Sequence, residues 1–395
     1  MKILVLNSGS SSLKFQVLED ENLLARGEVE GLGGSNAVFV GKVAGKPEVR
    51  FNQSAPDHEH AIESTLKWLS DDGNHGIQAV GHRIVHGGEF FAESALMDED
   101  AVHKIEACAE LAPLHNPASL KGYHAVKKLL PGVPQVAAFD TAFHHGLPNK
   151  SRLYAIPEIY YTRDKIRRYG FHGTSHRYVS ERYAEIHKAA RMPHKLISCH
   201  LGNGCSVCAI EGGKSVDTSM GFTPLEGLMM GTRSGDIDAG AVLHMLGPGK
   251  IRTADMETLL NQHSGLLGVS GISNDMRELM TARSNGNERA RVAIEMFCYR
   301  VRKFIGAYLA AMGGADAILF TGGIGEHAAQ VREEVCSGLG ALGIDFDSER
   351  NAQAEGVEAE ISSANSRVKV WVIPANEELA IARDTKAILS GGRPA

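Results

Sequence analysis

The sequence predicts an α/β protein built as two related domains facing one cleft, and three observations carry that prediction. The chain has 395 residues, more than a single typical core accommodates. A strand, polar turn, strand, turn, strand order at the N-terminus returns near Lys195. Three glycine-punctuated polar turns each follow a short apolar run: Asn7-Ser-Gly-Ser-Ser-Ser12, His200-Leu-Gly-Asn-Gly204 and Thr321-Gly-Gly-Ile-Gly-Glu326. Glycine lets a backbone approach a phosphate closely, and successive turn amides form an anion-binding concavity. The pattern suggests a nucleotide held by a duplicated protein.

The first copy opens with strand Lys2–Leu6 and continues in Leu13–Leu18. There Leu13, Phe15 and Val17 alternate with Lys14 and Gln16, so Lys14 shares the polar face with Ser12. Leu23–Glu28 completes the meander. The second copy is Leu196–Cys199, Cys205–Ile210 and Ser215–Thr218. Laid over one another, Lys2 meets Lys195, Asn7 meets His200 and Gly9 meets Gly202, which reads as a duplication. Two unrelated hairpins would carry the same order, so the pattern alone leaves that alternative open.

Helical spacing predicts helices over Ala101–Leu111, Pro117–Leu130 and Thr174–Ala189, the last capped by Thr174 or Ser175. Between them Val136–Phe139 is a buried strand ending at Asp140. A long apolar helix, Asn287–Met312, precedes strand Ala317–Phe320 and helix Glu326–Gly338. Strand Val368–Ile373 then leads into helix Glu377–Leu389. No low-complexity linker interrupts the chain.

A formal charge of −6 without a basic face or tail argues against a nucleic-acid partner. Anionic substrates would need local cations. The apolar run Ile3–Leu6 is too short for a signal-peptide core, and no stretch approaches the ~20 apolar residues of a membrane span. Cys199, Cys205 and Cys208 read as buried thiols rather than a metal site, since Cys205 and Cys208 fall on opposite faces of a strand.

The Thr321–Glu326 turn opens a predicted helix, whose free amides and dipole favour an anion. It is neither the dinucleotide fingerprint nor a Walker motif. Arg83 with His86 lies in Gly81-His-Arg-Ile-Val-His-Gly-Gly88, and Arg233 lies in Gly231-Thr-Arg-Ser-Gly235. An arginine among glycines suits a carboxylate or phosphate, although a surface ion pair is the simpler use of either one. His172 and His176 lack the intervening glutamate of a zinc helix. Asp140 ends a strand and Glu377 starts a helix; each can cap, bridge or face a hydrated Mg²⁺.

Taken together, the turns above resemble the acetate kinase family. So do the Gly81–Gly88 stretch, Phe171-His-Gly-Thr-Ser-His176, Asp217-Thr-Ser-Met-Gly-Phe-Thr-Pro-Leu-Glu-Gly227, Gly231-Thr-Arg-Ser-Gly-Asp236 and Asn376-Glu-Glu-Leu379. They occur in the family's order along the whole chain. The resemblance implies two ribonuclease H-like domains of the acetate and sugar kinase, heat-shock chaperone and actin superfamily. It assigns 1–145 plus 378–395 to one domain and 146–377 to a nucleotide-binding and dimerisation domain. It also implies a cytoplasmic homodimer catalysing ATP + acetate ⇌ ADP + acetyl phosphate with Mg²⁺, or Mn²⁺ in its stead.

Carried onto this chain, Asn7 and Glu377 would position the metal. Arg83, Asp140, His172 and Arg233 would form the catalytic set, with Asp140 orienting Mg²⁺ or an arginine rather than acting as a base. His115 would lie nearby. Arg83, Val85, Leu114, Phe171 and Pro224 would bind acetate. Lys14, His200, Leu201, Gly202, Asn203 and Gly204 would contact nucleotide, as would Gly323, Ile324, Gly325, Glu326 and His327. Asp275, Met276 and Arg277 would line the adenosine pocket. Met276 stands where the family often has phenylalanine and Gly322 where alanine is common, two departures beside the expected nucleotide. The sequence leaves open a propionate or other short-chain acyl kinase, an actin-like ATPase, and a donor other than ATP.

Overall fold

The computed structural model describes residues 1–71, 76–113, 115–188, 194–248 and 250–392. The chain divides into two compact units, Met1–His145 with Asn376–Ala395 and Gly146–Ala375. The return segment begins at Asn376, two residues before the predicted boundary, because Asn376 caps the final helix, accepting from the Leu379 amide.

In the first unit, strands β1 (Lys2–Ser8), β2 (Ser12–Glu19), β3 (Asn22–Glu30), β4 (Gly34–Val43) and β5 (Val49–Ala55) form an antiparallel meander. The sheet continues through β6 (Ala79–Ile84), β7 (Ala95–Leu96) and β8 (Gln135–Phe139) in the order β5-β4-β3-β2-β1-β6-β8-β7. β1, β6 and β8 are mutually parallel. The alternation expected of β2 is present: Leu13, Phe15 and Val17 are buried beneath helix His58–Asp71, and Lys14 is exposed. β4 and β5 were not foreseen; they carry Phe39 and Phe51, stacked at 4.7 Å.

Helices Glu99–Ala107 and Asn116–Leu129 and the final helix, Glu377–Leu389, complete this unit. The first of these ends earlier than predicted and passes into a 3₁₀ turn, Cys108–Glu110. The final helix packs on β1, β6 and β8. Gly81 in β6 allows that approach, because a Cβ there would lie 2.6 Å from Ile381 Cγ2 and 2.7 Å from Thr385 Oγ1. The close fit brings Glu377 to the end of β6, where Arg83 lies.

In the second unit, β9 (Lys195–Leu201), β10 (Cys205–Glu211), β11 (Lys214–Thr218), β12 (Ala317–Thr321), β13 (Ala359–Glu360) and β14 (Lys369–Val372) are ordered β11-β10-β9-β12-β14-β13. The run β11-β10-β9-β12-β14 repeats β3-β2-β1-β6-β8 in order and direction, three antiparallel strands and then two parallel additions. β1 and β9 have seven residues each and the same alternation of buried and half-buried positions. Asn7 and His200 occupy the same sixth position in them, as the superposed sequences required. The duplication is therefore a property of the fold.

Helix Glu288–Met312 covers this second sheet with a buried stripe that includes Ala290, Ile294, Phe297, Val301, Ile305 and Tyr308. Asn287 caps its start, accepting from the Ala290 amide at 3.0 Å. The region predicted as one helix, Glu326–Gly338, is two: Gly322–His327 and Ala329–Cys336. The glycine turn is itself the first of these, so the helix starts four residues earlier than expected. No helix among the described residues is long and apolar enough to cross a membrane. All six cysteines are free and buried.

Candidate active site

The candidate residues form two groups, one in each unit. In the first, Arg83 projects from β6 and donates from Nε and Nη2 to Asp140, at 2.9 and 2.7 Å. Asp140 follows β8 directly, and its amide donates to Ile84 O at 3.0 Å. Glu377 Oε2 lies 3.7 Å from Arg83 Nε. Burial opposes the charge on Arg83, but Asp140, Glu377 and Glu378 outweigh it and hold the guanidinium above its ordinary pKa. Burial raises the Asp140 carboxyl against the pull of Arg83, with Glu377 adding to the rise. A guanidinium does not deprotonate in a protein, so Arg83 stays charged and is held bidentately by Asp140. Asp140 thus orients Arg83, leaving Nη1 as the edge that can address an anion.

Burial and the neighbouring Glu377 also raise the Glu378 carboxyl. Three carboxylates around one guanidinium leave local negative charge, which a hard divalent cation would relieve. Among the described residues no cluster of three His, Cys, Asp or Glu side chains could enclose a metal. Glu377 offers a single carboxylate, which fits Mg²⁺, an ion that keeps most of its water and takes one or two carboxylates. Asn7 lies opposite Lys14 in the β1–β2 register. Lys14 is 60% exposed and 3.6 Å from Glu28. Val85 follows β6 and is half-buried; Leu114 lies outside the described residues.

In the second unit His172 has φ +57°, at the N-cap of helix Gly173–Ile186. That left-handed conformation is uncommon for a residue with a side chain. Thr174 and Ser175, expected as caps, instead lie buried in the first turn. The His172 ring stacks on His200 with centroids 4.3 Å apart, and its Nδ1 is 2.9 Å from Ser206 Oγ. Ser175 Oγ holds His200 Nδ1 at 2.8 Å.

His172 and Arg233 converge beside the second glycine turn. The point where Gly204 lacks a Cβ lies 3.2 Å from His172 Nε2 and 3.7 Å from Arg233 Nη1. Arg233 Nη1 also donates to Pro224 O at 3.0 Å. The loop carrying Pro224 is braced by Arg168, which donates to the carbonyls of Thr218, Ser219 and Met220 and to Glu226. Tyr154 donates to Glu226 and accepts from the Phe222 amide. Phe171 is buried nearby in sequence.

The same turn walls a cavity of about 830 Å³. Gly202, Asn203, Asp275 and Met276 line it, as do Arg277, Gly323, Ile324 and His327. All eight were expected to contact nucleotide. Asn274, Met280, Gln330 and Glu355 line it too, and nothing in their local sequence marked them. Asp275 caps helix Met276–Ser284, and its hydrogen bonds to Arg277 hold its carboxyl below the usual range.

Not every nucleotide candidate lines that cavity: Lys14, His200, Leu201, Gly204, Gly325 and Glu326 do not. Leu201 and Gly325 are buried. Glu326 Oε1 accepts from the amides of Gly322 and Ala375, at 2.8 and 2.9 Å. Its carboxylate braces the turn, where it would otherwise repel a phosphate. Gly322 takes φ +76°, and a Cβ there would sit 2.8 Å from Leu201 O, which explains glycine at this position. Arg332, buried beneath, donates to Gly325 O and Glu326 O at 2.9 Å. Burial presses its pKa down to about 10.

Residues 2–383 match the model of the Acetokinase family. A curated acetate kinase of Halothermothrix orenii is 51% identical over 397 residues, covering 98% of this chain and all of that protein. One from Thermotoga maritima is also 51% identical, over 98% of this chain and 99% of its own. The crystal structure of Porphyromonas gingivalis acetate kinase superposes with a TM-score of 0.94 at 47% identity, covering 98% of this chain and 99% of that one. The chain belongs to the acetokinase family. It is accordingly an enzyme, a kinase. A propionate kinase from Francisella tularensis subsp. tularensis superposes with a TM-score of 0.92 at 42% identity, over 98% and 99% of the two chains.

Proposed function

We propose that this chain transfers the γ-phosphoryl group of ATP directly and in line to acetate, giving acetyl phosphate and ADP reversibly. The observation that carries the reading is the convergence of His172 Nε2 and Arg233 Nη1 on Gly204, in the turn that also walls the 830 Å³ cavity. Cationic and N–H donors meet where a phosphoryl group extending from a nucleotide in that cavity would lie. The names of the curated relatives support acetate as acceptor.

Acetate is ionised at pH 7, so the transfer needs no strong base. The obstacle is repulsion between an anionic nucleophile and a polyanionic donor, which is met by positioning and fixed positive charge. Arg83, held by Asp140, offers Nη1 to the acetate carboxylate. His172 and Arg233 donate to the transferring oxygens; loss of one such fixed donor costs about 2.7–4 kcal/mol of transition-state stabilisation. Glu377 and Asn7 would hold Mg²⁺, which when bound draws negative charge from the donor phosphates. Val85, Leu114, Phe171 and Pro224 would enclose the methyl group. Lys14, outside the cavity lining, would screen the phosphates.

In this reading residues 1–145 with the final helix serve the acid and the metal, and the middle of the chain serves the nucleotide. Reduced, buried thiols fit a cytoplasmic protein. Exposed Leu243, Met296 and Tyr299 on the second unit offer apolar surface to a second copy in a homodimer. The second reading is a propionate kinase, favoured only by the Francisella structure. Trapping the product as its hydroxamate, with acetate, propionate and butyrate against ATP, other nucleoside triphosphates and pyrophosphate, tests both. The largest specificity constant is expected for acetate with Mg-ATP. No hydroxamate from that pair would overturn the proposal.

A further inference from the structure

His172 and His176 lie one helical turn apart and face β9 and β10, where Ser198 and Ser206 stand on neighbouring strands. Their polar atoms form an unbroken line. Ser198 Oγ is 2.9 Å from His176 Nδ1, His176 Nε2 is 2.8 Å from Ser206 Oγ, and Ser206 Oγ is 2.9 Å from His172 Nδ1. Ser198, His176 and Ser206 are fully buried. The line therefore runs from the interior to the ring whose Nε2 faces Gly204.

We propose that Ser198, His176 and Ser206 are positioning residues that fix the proton of neutral His172 on Nε2. The direction follows from the buried end. Among the described residues Ser198 Oγ has one hydrogen-bond partner, His176 Nδ1. A buried hydroxyl hydrogen without an acceptor is costly, so Ser198 donates and His176 Nδ1 accepts. Neutral His176 then carries its proton on Nε2 and donates it to Ser206 Oγ. Ser206 has a single hydrogen, which it gives to His172 Nδ1. That leaves the N–H of His172 on Nε2.

The opposite direction would leave the Ser198 hydrogen without an acceptor. It would also give His172 Nε2 a lone pair, which repels an anion. The consequence for catalysis rests on the reading of His172 as a donor to the transferring phosphoryl group. With the relay set this way, the neutral ring donates without having to be protonated.

Nitrogen-15 spectra of the full chain labelled at histidine, at pH 8, read the tautomer directly. The His172 signals are assigned by their loss in His172→Gln. The expected wild-type spectrum has a protonated Nε2 and an unprotonated, hydrogen-bonded Nδ1. Ser198→Ala and Ser206→Ala are each expected to give a mixture of tautomers, and Ser198→Thr and Ser206→Thr to restore one. A wild-type His172 protonated on Nδ1, or a tautomer unchanged in both alanine variants, would overturn the relay. The wild-type spectrum decides even if a variant fails to fold. Ser206→Ala is also expected to lower kcat about tenfold with little change in KM, as loss of an orienting partner does. A shifted tautomer with unchanged kcat would support the relay and instead remove phosphoryl donation by His172.

Discussion

The β1–β2 and β9–β10 hairpins are one scaffold used twice, and they differ where chemistry is needed. Their first strands agree in length and burial. At the sixth position one carries Asn7 opposite Lys14, the other His200 opposite Ser206. The first turn closes on itself through Gly9 N to Ser12 O at 2.8 Å, with His58 on Gly9 O. The second turn is one residue shorter between paired positions, and it forms a cavity wall and the meeting point of His172 and Arg233. Buried positions carry the same strand pairing in both copies; a half-buried position and the turn length are where the copies differ. In the proposed reading, a duplicated fold divides acid and nucleotide handling without changing its sheet.

The comparison is broken most severely by removing a donor from either copy's neighbourhood. Arg83→Ala leaves the buried Asp140 carboxyl without its partner, so it is expected to abolish transfer and to destabilise the protein by about 3–5 kcal/mol. Denaturant melts and initial rates together measure both effects. Arg233→Ala is expected to reduce kcat by about 10²–10³. If Arg233→Ala proved the less active, the assignment of the two arginines would be reversed.

Within the second copy, a Cβ at Gly231 would lie 2.0 Å from Asn203 Oδ1. Gly231→Ala is expected to cost about 1–3 kcal/mol, read mainly as weaker nucleotide binding by calorimetry. For the acid, Val85→Ala is expected to raise relative use of propionate by about tenfold, since one methylene is worth about 1–3 kcal/mol. An unchanged propionate-to-acetate ratio would remove Val85 from the pocket.

The smallest expected effect concerns pH. The folded-state pKa of Glu378 is raised by burial and Glu377, so the native state holds its proton more tightly than the unfolded chain. Stability is then expected to fall as pH rises from the ordinary glutamate range through the raised value. Glu378→Gln is expected to flatten that slope, and Mg²⁺ to lessen it. A slope identical in the variant would rule out this carboxyl as its source.

The repeat was legible because Leu13, Phe15 and Val17 alternate and polar turns follow apolar strands. β5 was silent for the opposite reason: most of its residues are exposed, and an edge strand needs no apolar alternation. The glycine turns suggest a backbone that can approach an anion, but not that Glu326 braces the third turn or that its helix begins at Gly322. The Glu326 side chain takes one amide from Gly322, four residues away, and one from Ala375, 49 residues away, and composition does not encode such pairings. His172 was marked by its neighbours Phe171 and Gly173. The serines behind it were not, because their partners lie 22 to 34 residues away in the chain.

Acid-dependent turnover of nucleotide is the most direct test of transfer to acetate. ADP and acetyl phosphate counted together, with and without acetate, separate a transferase from an enzyme that hydrolyses ATP. ADP is expected one for one with acetyl phosphate, and almost none when acetate is withheld. ADP released at the same rate without acetate would contradict that transfer.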